Sequence, residues 1–208
     1  MRLLIATTNP AKFDEARNVL EQSGFECVGL KDFSGIKPIP ETGDTFEENA
    51  ILKTKGYFAQ IGIPCIADDG GLEVDYLGGK PGVHSHRWLD RRDAQGLGRE
   101  TTDRELAEAV LAGLRGVPEE KRTARLGGSM AFWDGEHLLL RETWINGYIA
   151  EKILGDITPG FPYRSIFIIP QFGKPYSELT DEEHEQVNFR RKNLYAMKDE
   201  IAKILSMR

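Results

Sequence analysis

The sequence predicts an α/β fold, and three observations carry that reading. Residues 2–8 (RLLIATT) form a short apolar run closed by Asn9-Pro10. Phe13, Ala16, Val19 and Leu20 then recur at helical spacing as far as Gly24, and a second apolar run covers residues 25–30. This strand–helix–strand opening leaves a polar turn at the carboxyl end of the first strand, where α/β proteins gather ligands. Thr45-Phe46-Glu47-Glu48 is a T-x-x-E capping box that starts a helix reaching about Ile61, and residues 64–68 follow as another strand. Asp134-Gly135, between apolar runs at 123–133 and 136–145, signals a hairpin and hence an antiparallel pair in mid-chain.

The remaining elements follow from spacing. On the second helix Phe46, Ala50, Thr54 and Phe58 share one face, while Asn49 and Lys53, four apart, lie together on another. Residues 72–76 read as a short strand beyond two glycines, 90–101 as an exposed polar loop, and 102–114 as an amphipathic helix through Leu106, Val110 and Leu114. Residues 166–169 suggest a last strand. From Asp181 a helical pattern continues to the C-terminus, with Leu194, Met197, Ile201 and Ile204 or Leu205 on its apolar side. No repeat, low-complexity tract or linker interrupts residues 1–208, so a single domain is expected.

Composition narrows the function. A net charge of -6 argues against capture of nucleic acid or anionic membrane, which is led by basic patches, so a phosphate-bearing ligand must be held locally. Cys27 and Cys65 sit in separate apolar runs without C-x-x-C spacing and read as buried free thiols. With no secretory signal and no stretch of about 20 apolar residues, a cytoplasmic protein is expected.

The chemistry concentrates at strand ends. In PCIADDGGLEVD (64–75) two adjacent carboxylates, Asp68 and Asp69, close an apolar run, and desolvating them is costly unless a cation or a titration role compensates. Successive strand residues face opposite ways, so at least Asp69 is expected to turn into a cleft where the glycines break the strand; the alternative is a turn cap beside a solvated acid. Glu41, on the loop KPIPETGD, is placed to share a cation with the aspartates, or is simply a solvated loop glutamate. Magnesium suits such a place, since it takes few carboxylates, several waters and phosphate oxygens. Thr7, Thr8, Asn9 and Lys12 surround a helix N-terminus and offer donors to an anion, with Lys53 as a second positive charge; the alternative is helix capping and surface ion pairs. GxxxxGK[ST] and GxSxG are both absent, and His84 and His86 lack the partners of a zinc site. Arg87 reads as a phosphate contact or a surface ion pair.

TTNPAK (7–12), ETGDTFEENAILKTK (41–55), ADDGGLEVDYLGGKPGVHSHR (67–87), GFPYRSIF and ELTDEEHEQVNFR together resemble the inosine triphosphate pyrophosphatase family, in order along nearly the whole chain. The resemblance implies an elongated two-lobed α/β fold around a central mixed sheet with flanking helices, a nucleotide cleft between the lobes, and a homodimer. It implies magnesium-dependent hydrolysis of non-canonical purine nucleoside triphosphates (ITP, dITP or XTP-like) to monophosphate and pyrophosphate. Thr7, Thr8, Asn9, Lys12 and Lys53 then match the triphosphate cradle and Gly70 a backbone phosphate contact. Glu41 and Asp69, assisted by Asp68, match the metal ligands, Asp69 with Lys53 the catalytic pair, and Arg87 an arginine near the substrate.

The base-reading segments depart from the family pattern. Its ADDSGL is here ADDGGL, and its GFGYDP is Gly160-Phe161-Pro162-Tyr163-Arg164-Ser165, so that an aspartate has become Arg164. Its EEK and SHR elements appear as Glu182-Glu183-His184 and Asn188-Phe189-Arg190. Phe161, Tyr163, Arg164, His184 and Arg190 are thus the expected base-side residues, with Phe161 stacking and Arg190 donating to an oxo group. Two other readings stay open: a non-catalytic nucleotide-binding module, and a pyrophosphohydrolase of shifted base preference serving a dedicated pathway.

Overall fold

The structure, a computed structural model, describes residues 1–85, 88–89 and 101–207. Its elements run β1 (Arg2–Ile5), α1 (Pro10–Glu21), β2 (Glu26–Gly29), α2 (Phe46–Ile61), β3 (Cys65–Val74), α3 (Asp103–Gly113), β4 (Thr123–Trp133), β5 (Leu138–Ile149), β6 (Phe167–Ile169), β7 (Lys174–Pro175), α4 (Asp181–Val187) and α5 (Phe189–Ser206). The α/β expectation is met by a mixed seven-stranded sheet in the order β2-β1-β3-β4-β5-β6-β7, flanked by helices. Strand β1 runs parallel to β2 and β3, and β6 antiparallel to β5 and β7. Among the described residues no helix is long and apolar enough to cross a membrane.

The chain divides into two compact units, Met1–Asp69 with Gly127–Thr143 and Asn188–Arg208, and Gly70–Leu126 with Trp144–Val187. In the first, β1 and β3 are covered on both faces, which is why they read as unbroken apolar runs. Leu3, Ile5 and Ile66 join Phe13, Ala16, Val19 and Leu20 of α1 and Leu194, Met197, Ile201 and Ile204 of α5 in one core cluster. The alternate positions Leu4, Ala6, Cys65 and Ala67 pack instead with Tyr57 and Phe58 of α2 and with Ile36 and Ile39 of the connection leading into it. Cys27 and Cys65 are free thiols, as expected, but only Cys65 is buried and Cys27 is half-buried; partial burial, with the charge of Glu21, pushes Cys27 up to about 11, and burial raises Cys65 further.

In the second unit, α3 buries Leu106, Ala107 and Val110, and its N-terminus carries a capping box from Thr102 to Glu105. Arg122 is buried there at 4 % exposure, and its donors go to main-chain carbonyls alone in the bonds described. Its Nε donates to Ile149 O at 2.7 Å, Nη1 to Leu114 O at 2.9 Å and Val117 O at 3.5 Å, and Nη2 to Ala150 O. The guanidinium thereby gathers the carbonyls that α3 and β5 leave unpaired at their ends.

Three expectations are corrected. The glycines after Asp69 do not break the strand, and no separate strand begins at 72: β3 runs unbroken through Asp68-Asp69-Gly70-Gly71. Gly71 instead permits a close approach, since a Cβ there would lie 2.0 Å from Ser85 Oγ. The second hairpin strand starts and ends later than expected, because Asp134 Oδ1 accepts from Glu136 N and His137 N and keeps those residues in the turn, while Tyr148 and Ile149 pair with β6. The C-terminal helix is two helices: Asn188, in extended conformation, accepts from Arg190 N and Arg191 N and starts α5 afresh. The exposed loop expected at 90–101 falls almost wholly outside the described residues.

Arg122→Met should lower stability by about 2–4 kcal/mol, because several buried carbonyls lose their donors together. Chemical denaturation checks this, and a loss below 1 kcal/mol would mean that water satisfies those carbonyls equally well.

Candidate active site

Strand parity builds the site. Ile66 faces α1 and α5 whereas Ala67 faces α2, so Asp68 continues the first face and Asp69 the second. The side-chain contacts follow. Asp68 Oδ2 accepts from Lys12 Nζ on α1 at 3.1 Å and from Arg190 Nε on α5 at 3.0 Å. Asp69 Oδ1 accepts from Lys53 Nζ on α2 at 3.0 Å, and the same ammonium reaches Glu41 Oε1 at 3.2 Å. Glu41 and Asp69 therefore converge on one point, their oxygens no farther apart than those two distances combined.

The Asp68 side is a closed charge network. Arg190, 3 % exposed, also donates Nη1 to Glu15 Oε2 at 2.7 Å, and Asn188 Nδ2 donates to Glu15 Oε1. Burial alone would raise Asp68, but the charges of Arg190, Lys12 and Lys53 outweigh it and hold the carboxyl well below the usual range. Burial holds the Lys12 ammonium below its usual value, against the pull of Asp68. Arg190 stays charged: burial opposes this, but Asp68 and Glu15 raise it. The donors described for Arg190 thus serve two carboxylates of the protein rather than opening to solvent.

The Asp69 side is different in kind. Asp69 is 8 % exposed, and its Oδ2 is buried without a hydrogen-bond partner among the described residues. Burial, reinforced by the charge of Glu41, raises its carboxyl above the usual range although Lys53 opposes the shift. Lys53 is held protonated, since Asp69, Glu41 and Asp68 together overcome the cost of its burial. Among the described residues no group of three or more His, Cys, Asp or Glu side chains converges as a metal cage. The donor set fits a hard divalent ion all the same: two converging carboxylates, one with an unmatched buried oxygen, leave the remaining positions to water and ligand oxygens.

Around these acids lies the turn after β1. Asn9 caps α1, its Oδ1 accepting from Ala11 N and Lys12 N, and Thr7 Oγ1 accepts from Asn9 N at 3.1 Å. The capping role weighed for Asn9 is thus present, while Thr8 is exposed and Thr7 half-buried at the same turn. Gly70 follows Asp69 within β3.

In the second unit Arg164 lies over the Phe161 ring, 3.7 Å from its centroid, and 5.0 Å from that of Tyr176, which meets His184 edge-on at 4.9 Å. Tyr163 is buried and its hydroxyl donates to Ser85 O at 2.5 Å, so it braces the turn at 82–85. Arg87 and His86 lie outside the described residues. Sequence reasoning missed Glu15, Asn188 and Tyr176. Glu15 stands three residues after Lys12, one helical turn on, and Asn188 before Phe189-Arg190 is itself a capping signal; nothing local marks Tyr176.

The Ham1 family matches residues 3–200. The chain is 38% identical over 188 residues, 90% of each protein, to the dITP/XTP pyrophosphatase of Bacillus subtilis. Its fold is similar to that of a solved nucleoside-triphosphatase, also described as a dITP/XTP pyrophosphatase, from Mycobacterium abscessus (TM-score 0.75, 36% identity, 95% of this chain and 98% of that one). It is likewise similar to a HAM1 protein from Coxiella burnetii (TM-score 0.83, 28% identity, 98% and 99%). A match across both units, together with relatives at this identity over nine-tenths of their length, establishes that the chain belongs to the Ham1 family.

Proposed function

We propose that this chain is a nucleoside triphosphate pyrophosphatase, a hydrolase of acid anhydrides that releases monophosphate and pyrophosphate from deaminated purine nucleotides of the dITP and XTP type. The observation that carries the reading is the convergence of Glu41 and Asp69 on Lys53, with the second Asp69 oxygen, Oδ2, buried and unmatched. The family match spans both units and supports reading the whole chain as one pyrophosphatase domain. A mere binding module is not favoured, because an anion site gains nothing from the converging acids Glu41 and Asp69.

Glu41 and Asp69 would hold the metal ion, with magnesium the best fit to an oxygen donor set of so few carboxylates. When bound it would supply charge to offset the departing pyrophosphate. The protein's own groups do the rest. Thr7, Thr8, Asn9, Lys12, Lys53 and the Gly70 amide position the triphosphate. Asp69 Oδ2 orients a water and takes its proton as the oxygen attacks the α-phosphorus; the bond from that phosphorus to the bridging oxygen breaks, and pyrophosphate leaves. Asp68 we assign to holding Lys12 and Arg190, rather than to the metal, since its Oδ2 is already engaged by both. Phe161, Arg164 and His184 are the proposed base-side residues, with Tyr163 bracing the turn at 82–85, and Arg87 a further substrate contact. In this reading the protein acts as a homodimer, as the resemblance implies, and in the cytoplasm, the compartment that suits its free thiols.

A pyrophosphate-release assay over natural and deaminated triphosphates, with and without magnesium, should show turnover of dITP and XTP well above that of dATP and dGTP; no turnover of any would sink the hydrolase reading. Asp69→Asn should lower turnover by about 10²–10⁴-fold while triphosphate affinity stays within about tenfold; unchanged turnover would remove Asp69 from the mechanism. Asp68 is depressed in the folded state, so its stabilisation is present above its unfolded value of about 3.9 and is lost as pH falls below it. Thermal melting of metal-free wild type and Asp68→Asn should accordingly show a gap that is wide at neutral pH and narrows below pH 4, and a pH-independent gap would contradict the ion network as its cause.

A further inference from the structure

The connection that delivers Glu41 has no regular secondary structure, yet its alternate residues meet one stripe of α2 in strict order. Lys37 N donates to Gln60 Oε1 at 2.8 Å, and Lys37 O accepts from Gln60 Nε2 at 3.0 Å. Ile39 sits over Gly56, where a Cβ would lie 2.5 Å from Ile39 Cδ1. Glu41 meets Lys53 at 3.2 Å. Gly43 N donates to Asn49 Oδ1 at 2.8 Å, and Asp44 N and Thr45 N donate to Glu48 Oε2 at 2.7 and 3.3 Å. The partners 60, 56, 53 and 49 step back by three or four residues and so share one helix face. Two residues of extended chain cover about 6.6 Å and three or four helical residues about 5 Å, so the two can keep register over this length.

Asn49 is the informative member. It is fully buried, its Oδ1 serves Gly43, and its Nδ2 has no hydrogen-bond partner among the described residues. An amide with half its capacity unmet is a costly core residue, and leucine would fill the same volume without that cost. What the position retains is the acceptor. Gly43 is equally constrained, since a Cβ there would lie 2.6 Å from Glu48 Cβ and 2.9 Å from Asn49 Oδ1.

We propose that Asn49 is a positioning residue: by fixing Gly43 on α2 it sets the register of residues 37–45, so that Glu41 and no neighbour reaches Lys53 and Asp69 and completes the cation site. The inference rests on the hydrolase reading for what the cation does, but the clamp itself is a property of the free chain.

The test uses the metal-free full chain. Manganous ion affinity is read by the electron paramagnetic resonance of the free ion, and amide hydrogen exchange is followed over residues 37–45. Asn49→Ala should weaken manganese binding by about tenfold or more, the usual effect of removing a group that orients a ligand. It should also speed exchange at residues 41–45, and raise the magnesium concentration needed for half-maximal pyrophosphate release while leaving turnover at saturating magnesium nearer to wild type. Asn49→Asp keeps the Oδ1 acceptor and should restore slow exchange. Gln60→Ala, at an exposed position away from the acids, should weaken manganese binding in the same direction by about two- to fivefold, and it serves if Asn49→Ala does not fold. Wild-type manganese affinity in the folded variants, or unchanged exchange at 41–45 in Asn49→Ala, overturns the proposal. Wild-type protein that neither binds manganese nor releases pyrophosphate overturns the hydrolase reading instead, and exchange then decides the clamp alone.

Discussion

Everything in the acidic site depends on the two-residue period of a strand that is covered on both sides. Asp68 and Asp69 are adjacent in sequence, and as neighbours in one environment they would repel and share protons. In β3 they face different layers, and each finds its own counter-charges: Lys12 and Arg190 on the α1 and α5 side, Lys53 on the α2 side. The same geometry gives the two carboxyls opposite electrostatic fates, one depressed by surrounding cations and one raised by burial. Two identical side chains thus acquire opposite electrostatic states without any difference in kind.

The depressed partner belongs to a network that is satisfied within itself. Lys12 and Arg190 face Asp68 and Glu15, with Asn188 closing the far end. Buried ion pairs of this sort contribute little net stability, since desolvation offsets most of the attraction, but breaking one partner is costly. Their use here is to hold Lys12 and the start of α5 at fixed places beside β3. The raised partner is left with an unmatched oxygen, and that asymmetry between a paired and an unpaired carboxylate is what the proposed division of roles rests on.

Much of this was legible in the residues. Apolar runs at 2–8 and 64–68 implied covered strands, T-x-x-E marked the start of α2 to the residue, and the shared face of Asn49 and Lys53 was visible from their spacing. What spacing could not supply was the partner on the other element. Asn49 gave no hint that Gly43 would dock on it, and Glu15 looked like any exposed helix acid until Arg190 arrived from 175 residues away. The glycines after Asp69 misled because a glycine signals either a break or a close approach, and only the position of Ser85 distinguishes them. Asn188 was readable as a cap but lay inside a helical pattern strong enough to hide it.

The order of the two units along the chain has a consequence for biosynthesis. Residues 70–126 and 144–187 form one compact unit and have all been made before Asn188 is added, whereas the other unit needs Leu194, Met197, Ile201 and Ile204 to close its core and Arg190 to neutralise Asp68. During vectorial synthesis the inserted unit can therefore settle first. The half that holds the acids stays unfinished until α5 has been made, so a chain stopped before Asn188 would present the insert beside an open core and an unneutralised Asp68.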